Sequence, residues 1–149
     1  MIQQFYPQTQ HDYRYELNKD MNFSAAHFVP SEAAGKCQNV HGHTYFVNVT
    51  IVGDQLDKSG FLVDFKLLKD LVHGRYDHRL LNDETGDFND EDPNLFPTTE
   101  VVARTIWTNI QQYLNDLENK PKCVQVIVRE TPTSYVVYRP KAGDFDEEE

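Results

Sequence analysis

A chain of 149 residues, 39% of them hydrophobic and carrying a net charge of −10, suits one domain with a real core, and its share of Leu, Ile, Val and Phe exceeds that of disordered sequences. The acidic balance argues against nucleic acid as a partner and requires that any anionic ligand be met by local positive charge or a metal. No apolar run approaches a membrane span and the opening MIQQFYPQTQHDYRYE lacks a signal peptide's apolar stretch, so no membrane partner and a cytoplasmic location, with Cys37 and Cys123 reduced, are expected.

Residues 1–12 read as a polar arm. From Tyr13 to Phe28 apolar residues alternate with polar ones, with Tyr15, Leu17, Met21, Phe23 and Ala25 at odd positions, which predicts a long strand with one buried face. HTYFVNVTIV repeats the pattern with Tyr45, Val47, Val49 and Ile51, and the two strands are expected to pair antiparallel through the loop VPSEAAGKCQNV. DFKLLKDLV then predicts a short helix capped by Asp64, with Phe65, Leu68, Leu71 and Val72 on one side.

After a polar loop, PTTEVVARTIWTNIQQYLNDL places Val102, Ile106, Ile110, Tyr113 and Leu117 at helical spacing, with Thr98 as N-cap and Glu100 facing the positive helix end. KCVQVIVRE and SYVVYRP read as a hairpin about Thr131-Pro132-Thr133, and residues 141–149, ending AGDFDEEE, as a frayed acidic tail. The order of elements predicts a single α+β domain over 1–149 with antiparallel pairs.

The stretch CQNVHGH carries the chemistry. His41 and His43 lie two apart and share a strand face. If the first two strands pair, His27 falls opposite them, and all three imidazoles extend the apolar faces of their strands. Three neutral imidazoles with an open fourth position suit catalytic zinc; the bland alternative is a core or surface His27 beside an ordinary strand opening. Cys37 is open to three readings: a fourth ligand that closes a structural site, an inert small residue, or a thiol made reactive by the neighbouring Lys36. Cys123, which opens an apolar strand, reads as packing.

YDHRLLN sets Asp77 beside His78, a pair that needs a turn to hydrogen-bond. Glu130 follows Val124, Val126 and Val128 at strand parity, so its carboxylate continues a buried face and requires a partner: an arginine of the chain or a ligand with adjacent N–H donors. Thr98 and Thr99 are most simply helix caps, with ligand contact as the second reading.

Taken together, FSAAH, CQNVHGHTY, GFLVDFKLLK, YDHRLLN, FPTTEVVA and RETPTSY resemble the 6-pyruvoyltetrahydropterin synthase family. The resemblance runs from about Tyr13 to Tyr138 and is closest to the bacterial branch that forms 6-carboxytetrahydropterin. It implies a tunnelling fold: a four-stranded antiparallel sheet with two helices on one face, three subunits joined into a barrel, and two trimers making a homohexamer. It also implies zinc on His27, His41 and His43, a catalytic set of Cys37, Asp77 and His78 completed across a subunit boundary, and Glu130, with Thr98 and Thr99 as lesser candidates, binding a small-molecule pterin. The three residues Gln38-Asn39-Val40 between Cys37 and His41 match the carboxy-forming branch; the pyruvoyl-forming branch has a longer gap. The alternatives are the pyruvoyl reaction and a non-catalytic zinc-binding scaffold.

Overall fold

Strands β1 (Tyr15–His27) and β2 (His41–Gly53), 13 residues each, form the centre of the computed structural model, which describes residues 6–145. They pair antiparallel along their whole length, from Tyr15 opposite Gly53 to His27 opposite His41. Met21, Phe23 and Ala25 of β1 and Tyr45, Val47, Val49 and Ile51 of β2 are buried on one face. Burial therefore specifies the register, because a slip of one residue would turn that whole set outward.

Two helices cover this face. Asp64 caps α1 (Phe65–Tyr76) by accepting from the Lys66 N–H at 2.8 Å, and α1 buries Leu68, Val72 and Tyr76. Phe65, expected on the inner side, is 56% exposed: it sits in the first turn, at the end of the helix, where Lys19 Nζ lies 5.6 Å from its ring centroid. The second long helix, here α3, spans Thr99–Asn115, and its cap Thr98 accepts from the Val101 N–H at 3.2 Å. Val102, Ile106, Ile110 and Leu114 seat it on the sheet, with Tyr113 and Leu117 at the rim of the core.

Between these helices the chain turns at His78, whose φ is 60°, and its N–H donates to the Ser24 carbonyl at 2.6 Å. The turn delivers a two-residue strand β3 (Arg79–Leu80), parallel to Ala25 and Ala26, and a four-residue helix α2 (Leu81–Glu84). β4 (Lys122–Thr131) and β5 (Ser134–Tyr138) add the expected hairpin beyond β2. The sheet order is β3-β1-β2-β4-β5: the four expected antiparallel strands plus a short parallel fifth, which two residues are too few to announce by periodicity.

β4 departs from strict alternation. Thr50 faces Gln125 but Ile51 faces Cys123, so Val124 is the extra residue of a β-bulge and Cys123 takes the inward position expected of it. The bulge leaves backbone groups without ladder partners, and α3 supplies them. Trp107 Nε1–H donates to the Cys123 carbonyl at 2.7 Å, and the Cys123 N–H donates to Gln111 Oε1 at 2.8 Å.

The opposite face of the sheet is polar, and the N-terminal arm lies across it. Gln125 Nε2–H donates to the Pro7 carbonyl at 2.8 Å, and the Tyr6 hydroxyl donates to Asp20 at 2.7 Å. Beneath the arm, buried Asn48 and Thr50 donate to Asp20 and Asn18. At the other terminus Phe145 packs edge-on against Trp107, with Lys122 Nζ 5.1 Å from its ring centroid. The expected fraying from 141 therefore does not hold through Phe145, because its ring has apolar surface to bury; residues 1–5 and 146–149 lie outside the described residues.

Candidate metal centre

His27 closes β1 at 2% exposure, His41 opens β2 directly opposite it, and His43 faces Ala25. The ring centroids are separated by 4.5 Å for His27 and His41, 4.8 Å for His41 and His43, and 5.2 Å for His27 and His43. Glu130 reaches the same point from the end of β4. Its Oε1 lies 3.1 Å from His27 Nε2 and 2.8 Å from His43 Nε2, and one donor atom from each of the four residues falls within 4.8 Å of all the others.

Hydrogen bonds at the far side of two rings fix their tautomers. His27 Nδ1 lies 2.6 Å from the Pro97 carbonyl and His41 Nδ1 lies 2.7 Å from the Asn39 carbonyl. A carbonyl only accepts, so both Nδ1 atoms carry a proton and both Nε2 atoms present lone pairs to the cluster. Pro97 immediately precedes the cap of α3, so the start of that helix orients His27.

Nε2 of His27 and Nε2 of His43 are buried without a hydrogen-bond partner, although a Glu130 oxygen lies close to both. In the neutral His27 ring, Nε2 carries a lone pair 3.1 Å from a carboxylate oxygen, acceptor beside acceptor. Positive charge between the donors, a proton or a metal ion, is what makes this arrangement favourable. Burial pushes the His43 imidazole below its ordinary value; Glu130 opposes this and His27 and His41 reinforce it. Its neutral, ligating form is thereby favoured. The approach of His27 is the main influence holding the Glu130 carboxyl down at about 2, with burial opposing and the Thr99 hydroxyl and His43 adding. The donor set fits a divalent metal ion.

The remaining sequence candidates fall in three places. Thr99 Oγ1–H donates to Glu130 Oε2 at 2.6 Å, and both residues line a cavity of about 220 Å³ with Glu100, Ser134, Tyr135 and Val136. Thr98 is occupied as the helix cap. Cys37 is exposed in a 3-10 segment (Glu32–Gln38) kinked at Gly35, whose φ is 58°, and stands outside the donor group. Its carbonyl accepts from the Val29 N–H at 2.7 Å, which ties the loop to the end of β1. Asp77 and His78 lie at the edge of β1, and His78 shares with His43 the rim of an open cavity of about 630 Å³.

Sequence reasoning missed three nearby residues. Asn82 is buried and clamps the backbone next to His27, accepting from the Phe28 N–H at 2.9 Å and donating to the Phe28 carbonyl at 3.0 Å. The Tyr45 hydroxyl is buried without a hydrogen-bond partner, two residues beyond His43 on the same face; its parity was the available signal. His73 stands beside Asp77, one helical turn back, a spacing visible in HGRYD.

The sequence profile of a family described as 6-pyruvoyl tetrahydropterin synthase matches residues 16–141. This chain belongs to that family. A 6-carboxy-5,6,7,8-tetrahydropterin synthase of Bacillus subtilis (strain 168) is 66% identical, covering 98% of this chain and 99% of its own length. A 6-pyruvoyl tetrahydrobiopterin synthase of Drosophila melanogaster is 32% identical over 83% of this chain and 78% of its own. The solved structure of a Caenorhabditis elegans 6-pyruvoyl tetrahydropterin synthase superposes with a TM-score of 0.68 at 26% identity, covering 85% of this chain and 96% of that one. The fold and the membership agree, and the chain is an enzyme of the family.

Proposed function

We propose that this chain is a zinc-dependent 6-carboxy-5,6,7,8-tetrahydropterin synthase, a lyase that converts 7,8-dihydroneopterin triphosphate into 6-carboxytetrahydropterin, acetaldehyde and triphosphate on the route to queuosine and related 7-deazaguanines. The observation that carries this reading is the pair of buried Nε2 atoms on His27 and His43 without hydrogen-bond partners. The 66% identity to the Bacillus subtilis synthase and the three-residue gap from Cys37 to His41 favour the carboxy-forming reaction over the pyruvoyl one.

Zinc held by His27, His41 and His43 supplies Lewis acidity toward the side-chain hydroxyls of the substrate. The thiolate of Cys37 takes a proton from the carbon beside the ring. His78, oriented by Asp77, is the partner acid or base. With its side chain 85% exposed, it is available to a neighbouring subunit's site, as in a homohexamer built from two trimers. Glu130 turns from the histidines to accept the adjacent N–H groups of the pterin ring, with Thr99 bonded to its second oxygen, and so sets the register of the side chain. For the triphosphate, Lys36 and Arg79 are the better candidates, since Arg75 is held bidentately by Asp87 and Arg104 donates to the Asn94 carbonyl. The cytoplasm is the expected compartment.

The test measures metal content and acetaldehyde release of the wild type and Cys37→Ala side by side. The expected result is retained zinc with acetaldehyde release reduced by about 10²–10⁴-fold. Zinc lost from Cys37→Ala without another defect refutes the assignment, and wild-type turnover without acetaldehyde moves the chain to the pyruvoyl reaction.

A further inference from the structure

Asp77 lies between two imidazoles. Its Oδ1 accepts from the Ser24 N–H at 2.8 Å, while Oδ2 lies 3.4 Å from His78 Nε2 and 3.4 Å from His73 Nε2. His73 comes from the preceding turn of α1, and its Nδ1 is 2.6 Å from the Asn22 carbonyl. That contact makes Nδ1 a donor and pins the ring between α1 and β1. The far nitrogen then stands 3.4 Å from the carboxylate with a lone pair if the ring is neutral, and with a proton if it is charged; only the second attracts. We propose that His73 is a positioning residue for the Asp77–His78 pair: as an imidazolium between the Asn22 carbonyl and the Asp77 carboxylate, it holds Asp77 in place and weakens that carboxylate's hold on a proton at His78. The proposal rests on the reading of Asp77 and His78 as an acid–base pair.

The two Nε2 atoms share one oxygen neighbour, so the two ring charges stand within roughly 7 Å of each other, which in near-aqueous surroundings corresponds to about half a pH unit. Other charged groups face the two rings. Lys19 and Asp20 of β1 and Lys69 of α1 share a cavity with His73; Arg79 and Glu84 share one with His78. All of these stay constant when residue 73 alone is changed.

The experiment follows the His78 imidazole by NMR titration in the zinc-loaded wild type, His73→Gln and His73→Leu, and records kcat/KM against pH with 7,8-dihydroneopterin triphosphate. Both variants lose the charge, so the His78 midpoint is expected to rise by about half a unit in each, and the limb of the pH profile that reports His78 moves up with it. Glutamine, whose amide reaches about as far as Nε2, keeps Asp77 placed and preserves kcat on the plateau; leucine lowers it. A His78 midpoint that stays put in both variants overturns the proposal. A midpoint that rises while the pH profile stays fixed upholds the coupling by His73 and sinks the acid–base reading of the pair.

Discussion

The two ends of the β2–β4 region bury polar atoms beneath the same helix and treat them in opposite ways. At the bulge end, the backbone groups of Cys123 that lose ladder partners are matched by Trp107 and Gln111. At the histidine end, Nε2 of His27 and Nε2 of His43 are left without partners while Glu130 stands close by. The two cysteines divide along the same line: burial pushes the Cys123 thiol up to about 12, whereas Cys37 is exposed beside Lys36. An unpaired buried donor or acceptor costs stability, so one end is built for folding and the other carries a cost that a bound metal ion would remove.

The largest effect is expected from His43→Ala. Metal affinity is expected to fall by at least about 100-fold, the upper range for outer-shell partners of a metal site. The metal-free protein should change in stability by less than about 1 kcal/mol, since the removed ring nitrogen had no hydrogen bond to lose. Chelator competition and urea unfolding in EDTA measure the two quantities. A loss of several kcal/mol in the metal-free protein would make His43 a structural residue.

Gln111→Leu is the mirror experiment. It strips the Cys123 N–H of its acceptor and also removes the Gln111 Nε2–H donation to Asn115 at 2.8 Å. The expected cost is about 1–3 kcal/mol in urea unfolding, with metal affinity unchanged. A parallel fall in metal affinity would mean that the two ends are coupled through α3.

The contrast also explains what the amino-acid pattern reveals. Alternation fixes which face of β1 and β2 is buried, and the same parity carries His27, His41 and His43 to one point, so the candidate metal ligands and the main strand pairing are legible together. The caps Asp64 and Thr98 are legible because a short polar side chain before a helical stripe has one evident use. The bulge at Val124 is not, since Lys122–Glu130 continues as an uninterrupted β-rich run and only the helix above decides which residue is extra. His78 at φ 60° is equally hidden: the turn is held by Ser24, 54 positions away in the chain. Parity puts Glu130 on the face of the imidazoles, but its position among their nitrogens depends on where β4 ends relative to β1, which parity alone does not supply.

A smaller effect tests whether a third polar cluster belongs with the satisfied end. Asp87 accepts from Arg75 at 2.6 and 2.7 Å, from the Tyr76 hydroxyl at 2.7 Å and from Asn109 at 3.3 Å. Burial pushes its carboxyl up, but Arg75 and Tyr76, joined by Asn109, outweigh it and leave the group below its ordinary value of 3.8. The folded chain thus binds this proton less tightly than the unfolded chain. The contribution is full above the unfolded value and is lost as pH falls through the folded one, so it disappears below about pH 4. Arg75 is 43% exposed, and with solvent screening the contribution is roughly 1 kcal/mol. Urea unfolding of the wild type and Asp87→Asn at pH 7 and pH 3 should show the two proteins converging at the lower pH. Equal differences at both values would mean that Asp87 acts through its shape and hydrogen bonds alone, without its charge.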